Sequence, residues 1–163
     1  MSVTLAKSGP GSAPLKALLD NIRRSDVLVG IPANETLRKG DLINNASLLF
    51  VLSKGSPLNN IPPAPVLEPS IEANQKLITP HLAAAADAVL DQNPNGALLE
   101  LQRAGTVAAN GAKRWFTDPR NNWPPNAPST IARKGSDRRN VDTGALRRAI
   151  TSVVRIHEIP ANS

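Results

Sequence analysis

Cysteine is absent, aromatic side chains make up only 2% of the chain, and no apolar run approaches the roughly 18 residues that span a bilayer. Without cysteine there are no disulfides and no thiolate chemistry, the usage expected of a protein made in a reducing cytosol. With so few aromatics the core must be aliphatic, built from Leu, Val, Ile and a great deal of Ala. Alanine-rich helices bury little area each, so modest stability is expected for an isolated subunit, to which burial in an assembly would add. No membrane span is expected. The N-terminus MSVTLAKSGP lacks a basic stretch followed by an apolar run, so no signal peptide is expected either.

The chain has 163 residues, enough for one domain with a real core. Flexible tails are expected over 1–11 and 158–163, and a long loop over 118–141. The net charge is +6 and the isoelectric point about 10.3. That balance suits a partner with negative surface, either nucleic acid or an acidic protein face, and does not choose between them.

Residues Ser12 to Arg24 carry Leu15, Leu18, Leu19 and Ile22 at helical spacing. From Asp26 to Ile31 the pattern alternates, with Val27, Val29 and Ile31 on one face and Leu28 on the other. Gly30 and Pro32 end that strand, and Asn34 opens a polar loop. Asp41 is a plausible cap for a helix reaching about Ser53, stopped by Lys54-Gly55. Four prolines then stand between Ser56 and Pro65, which excludes a helix interior and a central strand and leaves a stiff, extended arm. The plain interpretation of such an arm is a linker; it also suits docking, because little entropy remains to be lost.

Residues Pro69 to Ile78 and Pro80 to Gln92 form two helices or one broken helix, with Thr79-Pro80 as a cap and first turn. Pro94 starts a further helix to about Phe116. Its stripe is Leu98, Leu101, Gly105, Ala108, Ala112 and Trp115, with small residues in the middle, which suits a neighbouring helix at close range. Asp118 to Asn140 is polar and rich in Pro, Asn, Gly, Arg and Lys; loops of that length are usually functional or mobile. The chain closes with a strand that alternates Ile150, Ser152, Val154 and Ile156 against Thr151, Val153 and Arg155. No internal repeat is found.

Few signals for chemistry survive inspection. Asp142-Thr143-Gly144 matches the triplet of aspartic proteases, where two carboxyls share one proton. Arg147 and Arg148 follow directly, and their positive field would hold Asp142 ionised. Asp142 or Thr143 capping the turn Gly144 to Arg148 is the simpler account. The basic loop holds Arg133, Lys134, Arg138 and Arg139, which could contact phosphates. It has no aromatic residue of its own on which bases could stack; Trp115, Phe116 and Trp123 lie upstream. His81 and His157 are the only histidines, and His81 has no carboxylate four residues on, so no zinc site is expected. Asp87 and Asp91 share a helix face, as solvated acids often do. Gly105 and Gly111 lack the Lys-Ser/Thr of a phosphate loop, and no Gly-x-Ser-x-Gly elbow occurs. No cofactor is expected.

Three stretches, taken in order, resemble the tail-completion or neck protein family of tailed bacteriophages, also called virion morphogenesis proteins. The first is Val27-Leu28-Val29-Gly30-Ile31-Pro32, similar to an early strand ending in glycine. The second runs from the helix with Asn45-Ala46 to Gly55 and on to Ile61-Pro62-Pro63-Ala64-Pro65-Val66-Leu67, similar to the family's proline-flanked arm. The third is Trp123-Pro124-Pro125, Thr130-Ile131, Lys134 and Asp142-Thr143-Gly144-Ala145-Leu146, similar to its closing pattern before a last strand. Ala64 stands where the family often has arginine, and Val66 where it often has phenylalanine. Leu52-Ser53-Lys54 and Asn140-Val141 also depart from the usual residues.

The resemblance implies a small α+β fold, an antiparallel sheet packed against several helices, with a long extended proline-rich arm and a long basic loop. It implies a structural virion protein of the head–tail junction, made in the host cytoplasm, forming a homo-oligomeric ring and joining the head connector to the tail. Partners would be other neck, head-completion, tail-tube or tail-terminator proteins, with non-specific contact to DNA in the channel and no membrane. No catalysis is implied. Interface residues are then expected at Ile61, Pro62, Pro63, Pro65 and Leu67 in the arm and at Trp123, Thr130, Lys134, Arg138 and Arg139 in the loop. Asp142, Thr143 and Gly144 would form a structural turn. The alternative is a basic nucleic-acid-binding module.

Overall fold

The computed structural model describes residues 25–32, 43–126, 128–135 and 144–156. The helix expected over Ser12 to Arg24, the loop from Asn34 and the cap at Asp41 lie outside these residues. In order, the elements are β1 (Ser25–Gly30), α1 (Asn45–Lys54), α2 (Leu67–Leu90), α3 (Pro94–Trp115), α4 (Pro128–Lys134), α5 (Ala145–Ala149) and β2 (Thr151–Ile156). Single 3₁₀ turns occupy Pro57–Asn59 and Pro119–Asn121. The fold is α+β, a two-stranded antiparallel sheet packed against helices.

The centre is the antiparallel hairpin of α2 and α3, which makes the most extensive contact between elements. Asp91, Gln92 and Asn93 join the two helices, with Gln92 in the left-handed region (φ 56°). Asn93 then caps α3 by accepting from the Gly96 N–H at 2.9 Å, and Pro94 occupies the first helical position, where its missing N–H costs nothing. Of the expected stripe, Gly105, Ala108, Ala112 and Trp115 are buried on the packed face of α3, joined by Ala104 and Ala109, while Leu101 is half-buried. Leu98, placed on the same stripe, is exposed near the helix start.

The small residues admit both neighbours of α3 at close range. On one side lie Ile78 and the rest of α2. On the other lies the sheet, where β1 and β2 pair from Ser25↔Ile156 to Gly30↔Thr151. At Gly105 a Cβ would come within 2.7 Å of Ser152 Oγ and 2.9 Å of Val27 Cγ1, so only glycine lets the sheet lie this close. The expected alternation holds. Val27, Val29, Ser152 and Val154 are half-buried towards the helices, while Leu28 and Val153 are exposed.

α2 is one continuous helix rather than two, and Thr79-Pro80 is not its start. Pro80 sits exposed in its interior. The tertiary contacts of the flanking turns hold the helix together across a residue that donates no N–H. α1 is capped by Asn44 and not, as expected, by Asp41: it starts at Asn45, and the Asn44 side chain accepts from the Ser47 N–H at 2.8 Å. It stops at Gly55 (φ 77°), whose N–H bonds the Val51 carbonyl. A Cβ at Gly55 would meet the Ile61 carbonyl and the Pro63 nitrogen at 2.8 Å.

The main core gathers Leu49 of α1, Val66, the C-terminal end of α3 with Trp115 and Phe116, Leu146 of α5 and Ile150. The loop expected over 118–141 is interrupted by the turn Pro119–Asn121 and by α4. Pro128 opens α4 as a first-turn proline, a role the loop composition concealed. Gly144 (φ 72°) directly precedes α5, and its carbonyl accepts from the Arg148 N–H; Asp142 and Thr143, expected to form the turn with it, lie outside the described residues.

Candidate interaction surfaces

The proline-rich arm is shaped by its own backbone. Ser56 and Ile61 form an antiparallel bridge around the 3₁₀ turn, with Ser56 N–H to Ile61 carbonyl at 2.7 Å and the return bond at 2.9 Å. Asn60 closes it in the left-handed region (φ 51°), and Asn59 donates to Ser56 Oγ at 2.8 Å. The result is a tight hairpin with Leu58 at its tip, 100% exposed. The hairpin replaces the extended backbone expected from Ser56; only beyond Ile61 does the arm run extended, and there it lies along the rest of the chain. Ala64 and Val66 are fully buried, and the Ala64 N–H bonds the Leu52 carbonyl at 2.8 Å. Pro62, Pro63 and Pro65 face outward, Ile61 is half-buried, and Leu67, also half-buried, opens α2 against the core.

Trp123 joins the arm to the loop. Its indole Nε1–H donates to the Pro65 carbonyl at 3.3 Å, across 58 residues of sequence. Its ring meets Phe116 edge-on, with centroids 5.9 Å apart, a favoured aromatic geometry. Two segments chosen separately as interface candidates are thus brought together at one place. Thr130 is half-buried on α4, and Lys134 is its last residue. Arg138 and Arg139 lie outside the described residues.

Below Trp123 the C-terminal end of α3 carries a second aromatic contact. The Arg120 guanidinium lies 5.5 Å from the centre of the Trp115 ring. Asp118 orients it, accepting from Arg120 Nε at 2.9 Å and Nη2 at 2.7 Å as well as from the Arg120 backbone N–H. These bonds, with the side-chain one foremost, hold the Asp118 carboxyl down at about 2, well below its ordinary 3.8, and push the Arg120 guanidinium pKa upward.

Two further side-chain contacts tie elements together. His81 of α2 hydrogen-bonds Glu100 of α3 at 2.7 Å, and Arg103 reaches the other Glu100 oxygen. The His81 bond, with help from Arg103, keeps the Glu100 carboxyl below its ordinary value despite partial burial. Asp26 and Arg155, opposite each other in the sheet, pair at 3.0 and 2.6 Å on its outward side.

Sequence reasoning passed over Leu58, Phe50 (64% exposed) and the apolar residues on the outer side of α2. The signal for Leu58 was present, since a leucine flanked by proline and two asparagines in a tight turn has nowhere to pack. Phe50 lies beside the apolar face of α1, and helical spacing alone could have placed it outward.

Among the described residues no three His, Asp or Glu side chains gather as metal ligands, and no helix is long and apolar enough to cross a membrane. Comparison with family models, curated proteins and solved structures finds no match to this chain.

Proposed function

We propose that the chain is a structural component of the phage neck, a tail-completion or terminator-type protein whose copies form a ring between the head connector and the tail. It acts by matching surfaces, without catalysis and without a cofactor. The ordered resemblance in strand, arm and closing pattern supports this. The observation that carries it is the spread of exposed apolar side chains over separate faces of a small domain with an alanine-built core. Leu58 stands free at the arm hairpin, Phe50 projects from α1, Leu28 and Val153 pair on the outer face of the sheet, and Leu82 and Leu90 lie on α2. Single exposed apolar residues are ordinary on a protein surface, so the weight lies on the adjoining pair Leu28 and Val153 and on the projecting Leu58, sites that a neighbour would cover. In a closed ring, weak contacts of this kind gain multivalent strength.

The test is the solution mass of the purified protein, alone and with purified tails or tail-less heads. A ring formed on those particles, and its loss in Leu58→Ser with the fold intact, is the expected result. A small oligomer that ignores both particles and binds DNA with steep salt dependence would replace this function with the nucleic-acid-binding one. Lys113, Arg114 and Arg147 at one end of the molecule favour that second function. Trp115 and Phe116 weigh against it, because both are buried and offer bases no stacking surface.

A further inference from the structure

The negative charge of the described structure is not spread evenly. α2 carries Glu68, Glu72 and Asp87 against Lys76, all exposed and none within an ion pair among the described residues. Asp91 follows directly after the helix. In contrast, α1, α3, α4 and α5 each have an excess of Lys and Arg, and the one acid of β1, Asp26, is paired with Arg155. Exposed apolar residues flank the face that holds Ser70, Ile78 and Ala85 against α3, with Ile71 and Leu82 on one side of it and Leu77 on the other, while Glu68, Glu72 and Lys76 follow one another at spacings of four on the outward side.

We propose that this face of α2 is the subunit contact of the ring, and that its occupant is the basic end of a second copy of the chain. The proposal rests on the ring assembly given above and names the two surfaces that meet. The basic end consists of Lys113 and Arg114 in the last turn of α3 and Arg147 of α5. α5 reaches the same place because Leu146 shares a core with Trp115 and Phe116. Arg120, also nearby, is already neutralised by Asp118.

Electrostatics selects this pairing over others. Copies with a net charge of +6 repel one another at large, so a stable contact must set unlike charges face to face. A two-fold contact of α2 with α2 would set acid against acid, because both its first turns and its last carry carboxylates. α2 against the basic end is therefore favoured, and such a contact is head to tail. The hairpin is antiparallel, so the first turns of α2 and the last turn of α3 lie at the same end of the molecule. Two surfaces at the same end of the hairpin can meet between copies with little rise, and such a head-to-tail contact closes into a ring when its rotation divides a full turn.

The experiment uses the full chain and charge reversal. Glu68→Lys with Glu72→Lys inverts one surface; Lys113→Glu with Arg114→Glu inverts the other. Association is followed by sedimentation and native mass at low and high salt, with circular dichroism as the check on folding. Wild type associates and weakens with salt. Each pair of reversals lowers the association constant by about tenfold or more. All four reversals in one chain restore association, because the surfaces again match. Net charge alone predicts something different, since the first pair raises the overall positive charge and the second lowers it. The proposal is overturned if wild type assembles and either pair of reversals assembles equally well, or if the fourfold variant keeps its fold without recovering. It is also overturned if the Lys113 and Arg114 reversals weaken only DNA binding, which would make the basic end a nucleic-acid surface. A wild type that stays monomeric on every phage particle would remove the ring itself, an outcome distinct from these.

Discussion

Gly105 and Gly111 are both buried glycines on α3, yet their neighbours differ in kind. At Gly105 a new Cβ meets Ser152 Cβ at 2.8 Å and Val27 Cγ1 at 2.9 Å, atoms fixed by the paired strands. At Gly111 it meets the amide end of Asn74, a side chain free to swing once it gives up its bond to the Ser70 carbonyl. Alanine improves helix propensity by about 1 kcal/mol at either site. Gly105→Ala is therefore expected to destabilise by about 1–2 kcal/mol, overpacking outweighing propensity, whereas Gly111→Ala stays near neutral. Urea denaturation of the two variants checks this. Asp118 offers a second check at this scale. Its pKa is depressed, so its bonds to Arg120 are complete above its ordinary 3.8 and are lost as the pH falls through about 2. A carbon-detected NMR titration should find that midpoint, and Arg120→Ala should move it upward. Single residues were legible where spacing decides them, as with Val27 against Leu28. The His81 partner was not, because Glu100 lies 19 residues on and faces it from another helix.

Helices α1 and α3 and both strands emerge close to their expected limits, because each has a local pattern with marked ends. Asn93-Pro94 starts α3, and Gly55 stops α1 in a backbone conformation that other residues adopt with strain. α2 departs from the pattern at Pro80. A proline inside a helix costs about 3 kcal/mol relative to alanine, partly offset by the entropy it removes from the unfolded chain. Pro80→Ala should accordingly raise stability by about 1–2 kcal/mol and leave the hairpin contacts unchanged, which thermal unfolding and helical circular dichroism would show. A lowered melting temperature would mean that α2 is built around a bend at Pro80. The loop containing α4 was read by composition, and composition hides a short helix that starts on a proline.

Among the described residues the core is built largely of small side chains. Alanine supplies much of it, and larger apolar residues such as Leu58, Phe50 and Leu90 remain at the surface. If copies associate through these surfaces, as proposed, the burial adds stability to the subunit on binding. Its melting temperature should therefore rise with protein concentration at low salt, and this rise should vanish in the Glu68→Lys, Glu72→Lys variant. An unchanged melting temperature across a hundredfold range of wild-type concentration would exclude self-association under those conditions.

The sequence by itself determined the two alternating strands, the small-residue face of α3, the extended run after Ile61 and the surplus of positive charge. Each of these follows from local spacing, proline geometry or composition. The first half of the expected arm instead folds into a hairpin around Pro57–Asn59. Only the tertiary structure decided that Trp123 bonds Pro65 and joins the loop to the arm, that Glu100 serves His81, and that Leu58 stands in solvent. These depend on which distant segments pack together. Long-range contacts are chosen by the collective packing of the chain, and no window of neighbouring residues records that choice.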